Sequence, residues 1–163
     1  MKRQTHAQLT AWNDQEDRRV TALIRRYGCF IQAVKGKKPN PPFAYTVGLF
    51  GLGHPELIVF GLDTESAGGT LNWFFERVRT GRDLTPGEVI LPPGSDTRFL
   101  VEEFPDPGSA LYAANRHYRR RREAPVRALQ LVWDVDGAFP WDPGYPYPGE
   151  LQAYPQAWER PVT

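Results

Sequence analysis

Residues 43–49 read FAYTVGL, and residues 53–62 read GHPELIVFGL. Large side chains hold the odd positions of the first segment and small ones the even positions, as in a strand with one bulky and one shallow face. The second segment is apolar after Glu56, which is typical of a central strand. Gly53 and Pro55, at the start of the second segment, favour a turn between the two apolar runs. The sequence therefore predicts two strands joined by a glycine-rich turn, with a shallow face open to a closely packed helix or a ligand.

Helix signals lie on both sides of this pair. Asn13 is predicted to begin a first helix, because Glu16 follows at capping-box spacing and Gly28 ends the apolar repeat. Asp63 is predicted to cap a second helix that Gly81 ends. Both helices carry an apolar stripe, so we expect them to lie against the sheet.

The rest of the chain predicts further strands and one more helix. Ser109 is expected to cap a third helix that runs to about Arg122. Asp134 to Gly137 resembles a hairpin turn, and the segment from Pro140 onward, rich in proline and aromatic residues, is expected to wrap over the body. Additional strands are predicted at residues 29–34, 88–91, 97–104 and 126–133.

The predicted fold is a single α+β domain. A chain of 163 residues is long enough for one core. We expect a mostly antiparallel sheet of five or six strands, about three helices and the C-terminal tail rich in proline and aromatic residues. Residues 1–12 are expected to be a flexible N-terminal segment, and residues 13–163 the globular domain.

Composition excludes several classes of protein. The net charge of +1 gives no general attraction to nucleic acid or to an anionic membrane. Cys29 is the only cysteine, so an internal disulfide is impossible and a cysteine-rich zinc site is excluded. No segment approaches the length of an apolar membrane span, and the N-terminus lacks the apolar core of a signal peptide. We expect a cytoplasmic protein without a membrane partner.

His54 and Glu56 are the candidate catalytic residues. Both lie in the glycine-rich turn, and an extended Pro55 would point them to the same side as a base and its orienting carboxylate. Tyr45, Thr46 and Asp63 lie at the ends of the same strands and helix, where they could bind a ligand. In the alternative interpretation, His54 bonds to the turn backbone and Glu56 pairs with an arginine. The hypothesis requires His54 to be accessible at the rim of a pocket that reaches Trp141.

No metal site or cofactor is predicted. The three histidines have no spacing that suits a metal, and the spacing after Asp134 does not match a calcium loop. Phosphate-binding and dinucleotide-binding glycine motifs are lacking as well. The identity of any cofactor, like the oligomeric state, stays open at this point.

Aromatic residues near the C-terminus form a second candidate site. These rings could line a pocket for a planar ligand such as a flavin or a base, and they belong to Trp133, Phe139, Trp141, Tyr145, Tyr147 and Tyr154. Trp133 and Trp141 are the candidate ligand-binding residues among them. Such aromatic residues more often form a small core beneath the tail. The pattern leaves both interpretations open.

Arginines dominate the predicted third helix. Arg116, the run from Arg119 to Arg122, and Arg127 form the strongest charge feature of the chain. Four consecutive residues cover a full helical turn, so they cannot all face one groove. A solvated helix end is the plain interpretation, and contact with phosphate or nucleic acid is the alternative.

Several of these segments together resemble a bacterial family catalogued as domain of unknown function 4262. The segments that carry the resemblance are FAYTVGL (43–49), GHPEL (53–57), GL (61–62), LQLVW (129–133), DG (136–137) and FPW (139–141). The resemblance covers most of the chain and implies a compact cytosolic domain. It implies no activity, cofactor or catalytic residue, and the arginine run is not part of it.

Three functions are therefore considered. The first is an enzyme that acts on a small polar molecule near His54. The second is a non-catalytic module that binds a ligand or protein through the aromatic C-terminal segment. The third is a nucleic-acid binder that uses the arginine helix, and of the three partners we least expect nucleic acid.

Overall fold

A computed structural model describes residues 5–37, 40–120 and 122–152 of the chain. The strands are β1 (Phe30–Val34), β2 (Phe43–Val47), β3 (Glu56–Phe60), β4 (Val89–Ile90), β5 (Phe99–Glu103) and β6 (Ala128–Trp133). The helices are α1 (His6–Tyr27), α2 (Thr64–Arg79), α3 (Pro107–Ala110) and α4 (Tyr112–His117). The predicted α+β class is confirmed.

The six strands form one sheet in the order β1-β2-β3-β6-β5-β4. Every neighbouring pair is antiparallel except the central pair of β3 and β6, which is parallel. Glu56 of β3 pairs with Ala128 of β6, so both strands begin at one end of the sheet and finish at the other. This parallel pair defines the two ends at which the candidate residues lie.

Helices cover both faces of the sheet. Leu71 of α2 packs in one core cluster with Ala44, which lies on the predicted shallow face of β2. On the opposite face, Tyr45 packs in a second cluster with Leu111 and Ala114 of the α3–α4 segment. Leu71 is fully buried, which confirms that the apolar stripe of the second predicted helix lies against the sheet.

The predicted start of the first helix is wrong. The helix begins at His6, and Asn13 lies inside it. Thr5 and Gln8 form a capping box through the Thr5 hydroxyl and the Gln8 side-chain oxygen. The N-terminal half carries no apolar stripe because it is solvent-exposed, as Trp12 shows. Part of the segment expected to be flexible is thus helical.

The predicted helix from Ser109 to about Arg122 is also wrong. Two short helices replace it, and α4 ends at His117. The side chain of Asn115 explains the break, because its Nδ2 donates to the carbonyls of Pro107 and Leu111. Its Oδ1 accepts a hydrogen bond from the amide of Val126, which ties both helices to the start of the next strand.

The described part of the C-terminal segment packs on the end of β6. Gln152 is fully buried and bonds to the backbone amide and carbonyl of Trp133 at 3.0 and 2.8 Å. Its Nε2 also donates to the hydroxyl of Tyr145. The expectation that this segment wraps over the body is confirmed as far as Gln152, and residues 153–163 lie outside the described chain.

Candidate functional site

Glu56 lies at the end of the sheet where β3 and β6 begin. Its carboxylate is fully buried and accepts hydrogen bonds from the amides of Gly48, Leu49 and Phe50 at 2.9 to 3.2 Å. A fourth bond comes from the hydroxyl of Thr46 at 2.9 Å. Burial raises the pKa of Glu56 to about 7, although these four donors act in the opposite direction. The carboxylate therefore holds the backbone of the turn in place.

Thr46 and Gly48 fit this arrangement closely. The Thr46 hydroxyl donates to Glu56 and accepts from the amide of Leu57, so it links two strands. Gly48 has a φ of 143°, and a Cβ there would lie 2.7 Å from the carbonyl oxygen of Gly28. Only glycine suits that close approach. The segments that looked most like a site thus have structural roles.

His54 is enclosed rather than accessible. Its side chain is only 5% exposed, which makes the expected rim position wrong. Nδ1 lies 2.7 Å from the carbonyl oxygen of Pro55, and Nε2 accepts a hydrogen bond from the amide of Leu84 at 3.0 Å. Since the carbonyl can only accept, Nδ1 carries the hydrogen. Both ring nitrogens therefore bond to backbone, and neither bonds to Glu56.

Two other candidate ligand residues also have backbone partners. The hydroxyl of Tyr45, which is 2% exposed, accepts a hydrogen bond from the amide of Ala113. Burial raises the pKa of Tyr45 to about 12. Asp63 caps α2 by accepting from the amide and hydroxyl of Ser66, and these bonds hold its pKa below the ordinary value.

The pocket expected between the His54 turn and Trp141 does not form. The turn precedes β3, whereas Trp141 follows β6, so the parallel strands hold them at opposite ends. Five residues of strand at 3.3 Å each separate these ends by roughly 15 Å. Trp141 instead stacks on Phe139 with ring centroids 5.2 Å apart.

A cleft opens at the end of the sheet where β3 and β6 finish. Its volume is about 550 Å³, which is within the range of small-molecule sites. We call it the aromatic cleft. Its lining includes Ser66, Gly69, Thr70 and Trp73 of α2, Ser95, Asp96 and Thr97 of the β4–β5 loop, Phe99, Trp133 and the Asp134–Asp136 segment, and Tyr147.

Aromatic rings reach this cleft from separate parts of the fold. Trp133 is positioned by its indole N–H, which donates to the carbonyl of Phe60 at 2.8 Å. Tyr147 meets the Trp133 ring edge-on, with centroids 6.2 Å apart. Trp73 enters from α2 and contacts Phe74 edge-on. Of the predicted ligand residues, Trp133 is the one that lines the cleft.

Three carboxylates belong to the lining, and they differ in their partners. Asp134 is buried and accepts from the amide and Nε of Arg98 at 2.8 and 2.7 Å, so its charge is compensated. Asp96 and Asp136 are exposed, and within the described residues their side chains have no hydrogen bond or ion pair. No lysine or arginine occurs in the described lining. The open charge of the cleft is therefore negative.

Asp136 and Gly137 form the turn that follows β6. Their φ values are 50° and 85°, and Val135 pairs with Ala138 across them. This geometry matches a two-residue hairpin turn, so the turn predicted at this position is confirmed. The turn fixes Asp136 at the edge of the cleft.

Gly69 leaves space in the cleft wall. It lies within α2, and a Cβ added there would meet nothing within 4 Å. A glycine inside a helix costs about 1 kcal/mol relative to alanine. Packing gives no reason for glycine at this position, where a side chain would enter the cleft.

Sequence reasoning missed most of the cleft. Tyr147 is among the aromatic residues expected to line a pocket, whereas Gly69 and Asp96 come from distant segments that no local motif connects. One signal was present: two consecutive glycines, Gly68 and Gly69, interrupt an otherwise regular helical pattern.

The predicted arginine helix does not exist as such. Arg119 has a φ of 55° and lies beyond the end of α4, while Arg121 is outside the described residues. Arg116 forms a bidentate pair with Asp17, and Arg127 pairs with Glu103. Carboxylates thus compensate part of the positive charge.

Other chemistry is limited in the described chain. The thiol of Cys29 is free and half-buried, and burial raises its pKa to about 12, so it is protonated at neutral pH. The described residues contain no group of three or more histidine, cysteine or acidic side chains that could hold a metal ion. Among the described helices, none is long and apolar enough to cross a membrane.

Comparison with known proteins gives a family. No curated protein matches the chain significantly. No solved structure does so either. The family model described as a domain of unknown function, DUF4262, matches residues 23–146, which is most of the chain, and the protein belongs to that family.

Proposed function

We propose that the protein is a ligand-binding domain that takes a small, planar, cationic molecule in the aromatic cleft. The observation that carries this proposal is an open cleft of about 550 Å³ that combines aromatic walls with two uncompensated carboxylates. Aromatic faces attract cations as well as planar rings. Asp96 and Asp136 favour a positive charge at the rim.

The proposal concerns binding rather than catalysis at the His54 turn. A general base needs a nitrogen or oxygen that can reach the substrate. Both ring nitrogens of His54 and both oxygens of Glu56 already bond to the protein. The aromatic cleft has carboxylates without a hydrogen-bond partner in the described chain, so it is the better place for a ligand.

A screen of single-ring compounds tests the proposal. Ligand-detected NMR would compare cationic, neutral and anionic compounds of similar size. Cationic compounds are expected to bind best, since a charge beside a carboxylate in a partly desolvated cleft is favoured over its neutral analogue. Preferential binding of the anionic set, or no binding by any set, would contradict the proposal.

A pair of glycine variants locates the binding site. Gly69→Leu puts a side chain into the aromatic cleft and should abolish binding. Gly68→Leu makes the same change at the neighbouring position, which also has open space but is not part of the lining, and should leave binding intact. Equal loss in both variants would place the bound compound elsewhere.

The proposal includes a bacterial, cytoplasmic setting. The cytoplasmic part is supported by the single cysteine, whose thiol is free, because exported proteins often use disulfides. Fractionation of cells that express the protein with its native sequence should recover it with cytoplasmic markers. Recovery in an exported fraction would contradict this part.

A further inference from the structure

A second cleft lies between α1 and the α3–α4 segment, on the opposite face of the sheet from α2. Its volume is about 490 Å³. Its lining includes Arg116, Arg119, Arg120, Asp17, Tyr112 and Asn115. We call it the arginine cleft. With three guanidinium groups and one carboxylate, its charge is opposite to that of the aromatic cleft.

Two of these arginines form hydrogen bonds and ion pairs within the protein. Arg116 uses Nε and Nη2 to bind Asp17 at 2.8 and 3.0 Å, so its Nη1 takes no part in that pair. Arg120 donates from Nε to the carbonyl of Ala124 and contacts Glu123 through Nη1. Such fixed guanidinium groups are preorganised donors, since their rotamers are set before a ligand arrives.

Arg119 differs from both. It is exposed, and within the described residues its guanidinium has no hydrogen bond or ion pair. It is the member of this lining that is free to bind an added anion.

The backbone of Arg119 is in an unfavourable conformation. The amide of Arg119 bonds to the carbonyl of Arg116, and that of Arg120 to the carbonyl of Asn115, which together form a Schellman motif at the end of α4. Arg119 occupies the left-handed position of this motif with a φ of 55°, where glycine is the usual residue. The motif itself gives no reason for arginine there. Strain of this kind is typical of positions that serve a ligand.

Tyr112 adds an aromatic surface to the arginine cleft. Tyr112 is 64% exposed, so its ring is accessible at the edge of the cleft. A ring-bearing ligand could stack on it while its anionic group contacts Arg119.

We propose that the arginine cleft binds the phosphate group of a small phosphorylated molecule, with Arg119 as the ligand-contacting residue. Guanidinium groups match phosphate oxygens in geometry and charge. Nucleic acid fits less well, because α4 ends at His117 and the arginine run does not continue along one helix. This site is independent of the aromatic cleft.

Calorimetry with inorganic pyrophosphate at low ionic strength tests the site. The wild type should bind, and Arg119→Gly should weaken binding about tenfold or more, as expected for loss of a charge-assisted hydrogen bond. The same variant should raise Tm by roughly 2 to 4 °C, since glycine relieves the left-handed conformation. Loss of binding in a more stable protein cannot be explained by unfolding.

Two controls separate the site from general charge effects. Arg18→Ala removes one exposed positive charge from α1 outside the cleft and should leave pyrophosphate binding unchanged. A single-stranded oligothymidylate should bind more weakly than pyrophosphate. The proposal is overturned if the wild type does not bind pyrophosphate, if Arg18→Ala weakens binding as much as Arg119→Gly, or if the oligonucleotide is the tighter ligand.

Discussion

The two ends of the parallel β3–β6 pair differ in how their polar groups are used. Where the strands begin, Glu56 is fully buried and accepts four hydrogen bonds from Thr46 and the turn that follows β2. Where they finish, Asp96 and Asp136 are exposed and have no protein partner within the described chain. Polar residues of the first kind stabilise the fold, and those of the second kind are available to a ligand.

The largest expected effect tests the end at which β3 and β6 begin, which we call the closed end because Glu56 is buried there. Glu56→Gln keeps one acceptor oxygen but places an NH₂ group against backbone amides, so at least one buried donor loses its partner. We expect the free energy of unfolding to fall by about 2 to 5 kcal/mol in chemical denaturation.

A matched control for this change is Glu103→Gln. Glu103 forms an exposed ion pair with Arg127, and its loss should cost less than about 1 kcal/mol. A similar small cost for Glu56→Gln would mean that its carboxylate does not hold the turn together, and the contrast between the two ends would fail.

The second prediction concerns pH. Because the folded state raises the pKa of Glu56 to about 7 from its ordinary value of 4.5, the folded protein binds the proton more tightly than the unfolded chain. The stability linked to this proton is fully present below pH 4.5 and is lost as the pH rises to about 7. The slope is at most about 1.4 kcal/mol per pH unit.

Denaturation of wild type and Glu56→Gln at a series of pH values measures this effect. The difference in free energy of unfolding between the two proteins should change between pH 4.5 and about 7 and become constant above pH 7. A difference that is flat from acid to neutral pH would show that Glu56 has the same pKa in the folded protein as in the unfolded chain.

The third prediction concerns His54, at the same closed end. His54→Leu leaves the amide of Leu84 and the carbonyl of Pro55 without their side-chain partner and should cost about 1 to 3 kcal/mol. His54→Gln can restore part of this bonding and should cost less. Ligand binding in the aromatic cleft should be unchanged in both variants. A loss of ligand binding without a loss of stability would show that His54 takes part in the ligand site.

The strands and α2 could be predicted because their signals are local. The alternation of large and small side chains in β2 and the apolar stripe of α2 reflect how each element packs against its neighbours. The start of α1 was missed because its first turns are exposed, and the break before α4 depends on Asn115, whose side chain bonds to Pro107, Leu111 and Val126. These interactions link residues that no sequence window places together.

The candidate site was harder to predict for the same reason. Thr46 and Glu56 are ten residues apart, and a carboxylate that satisfies a turn looks in sequence like a carboxylate that serves catalysis. Trp133 was identified because it is a large aromatic residue at a strand end. Its partners in the aromatic cleft come from α2, the β4–β5 loop and the C-terminal segment, and only the packed sheet brings them together.

The smallest expected effect on stability tests the opposite end of the β3–β6 pair, where the aromatic cleft opens. Asp136→Asn keeps the shape of the side chain, and asparagine tolerates the left-handed conformation of Asp136 well, so stability should change by less than about 0.5 kcal/mol. The variant removes one of the two uncompensated charges of the aromatic cleft. Cationic ring compounds should therefore bind about three- to tenfold more weakly, while their neutral analogues bind as before. NMR titration of matched cationic and neutral compounds measures both affinities in the same protein. An equal loss for the two compounds would show that Asp136 shapes the cleft instead of attracting charge, and unchanged affinity for both would place the recognised cation away from this turn.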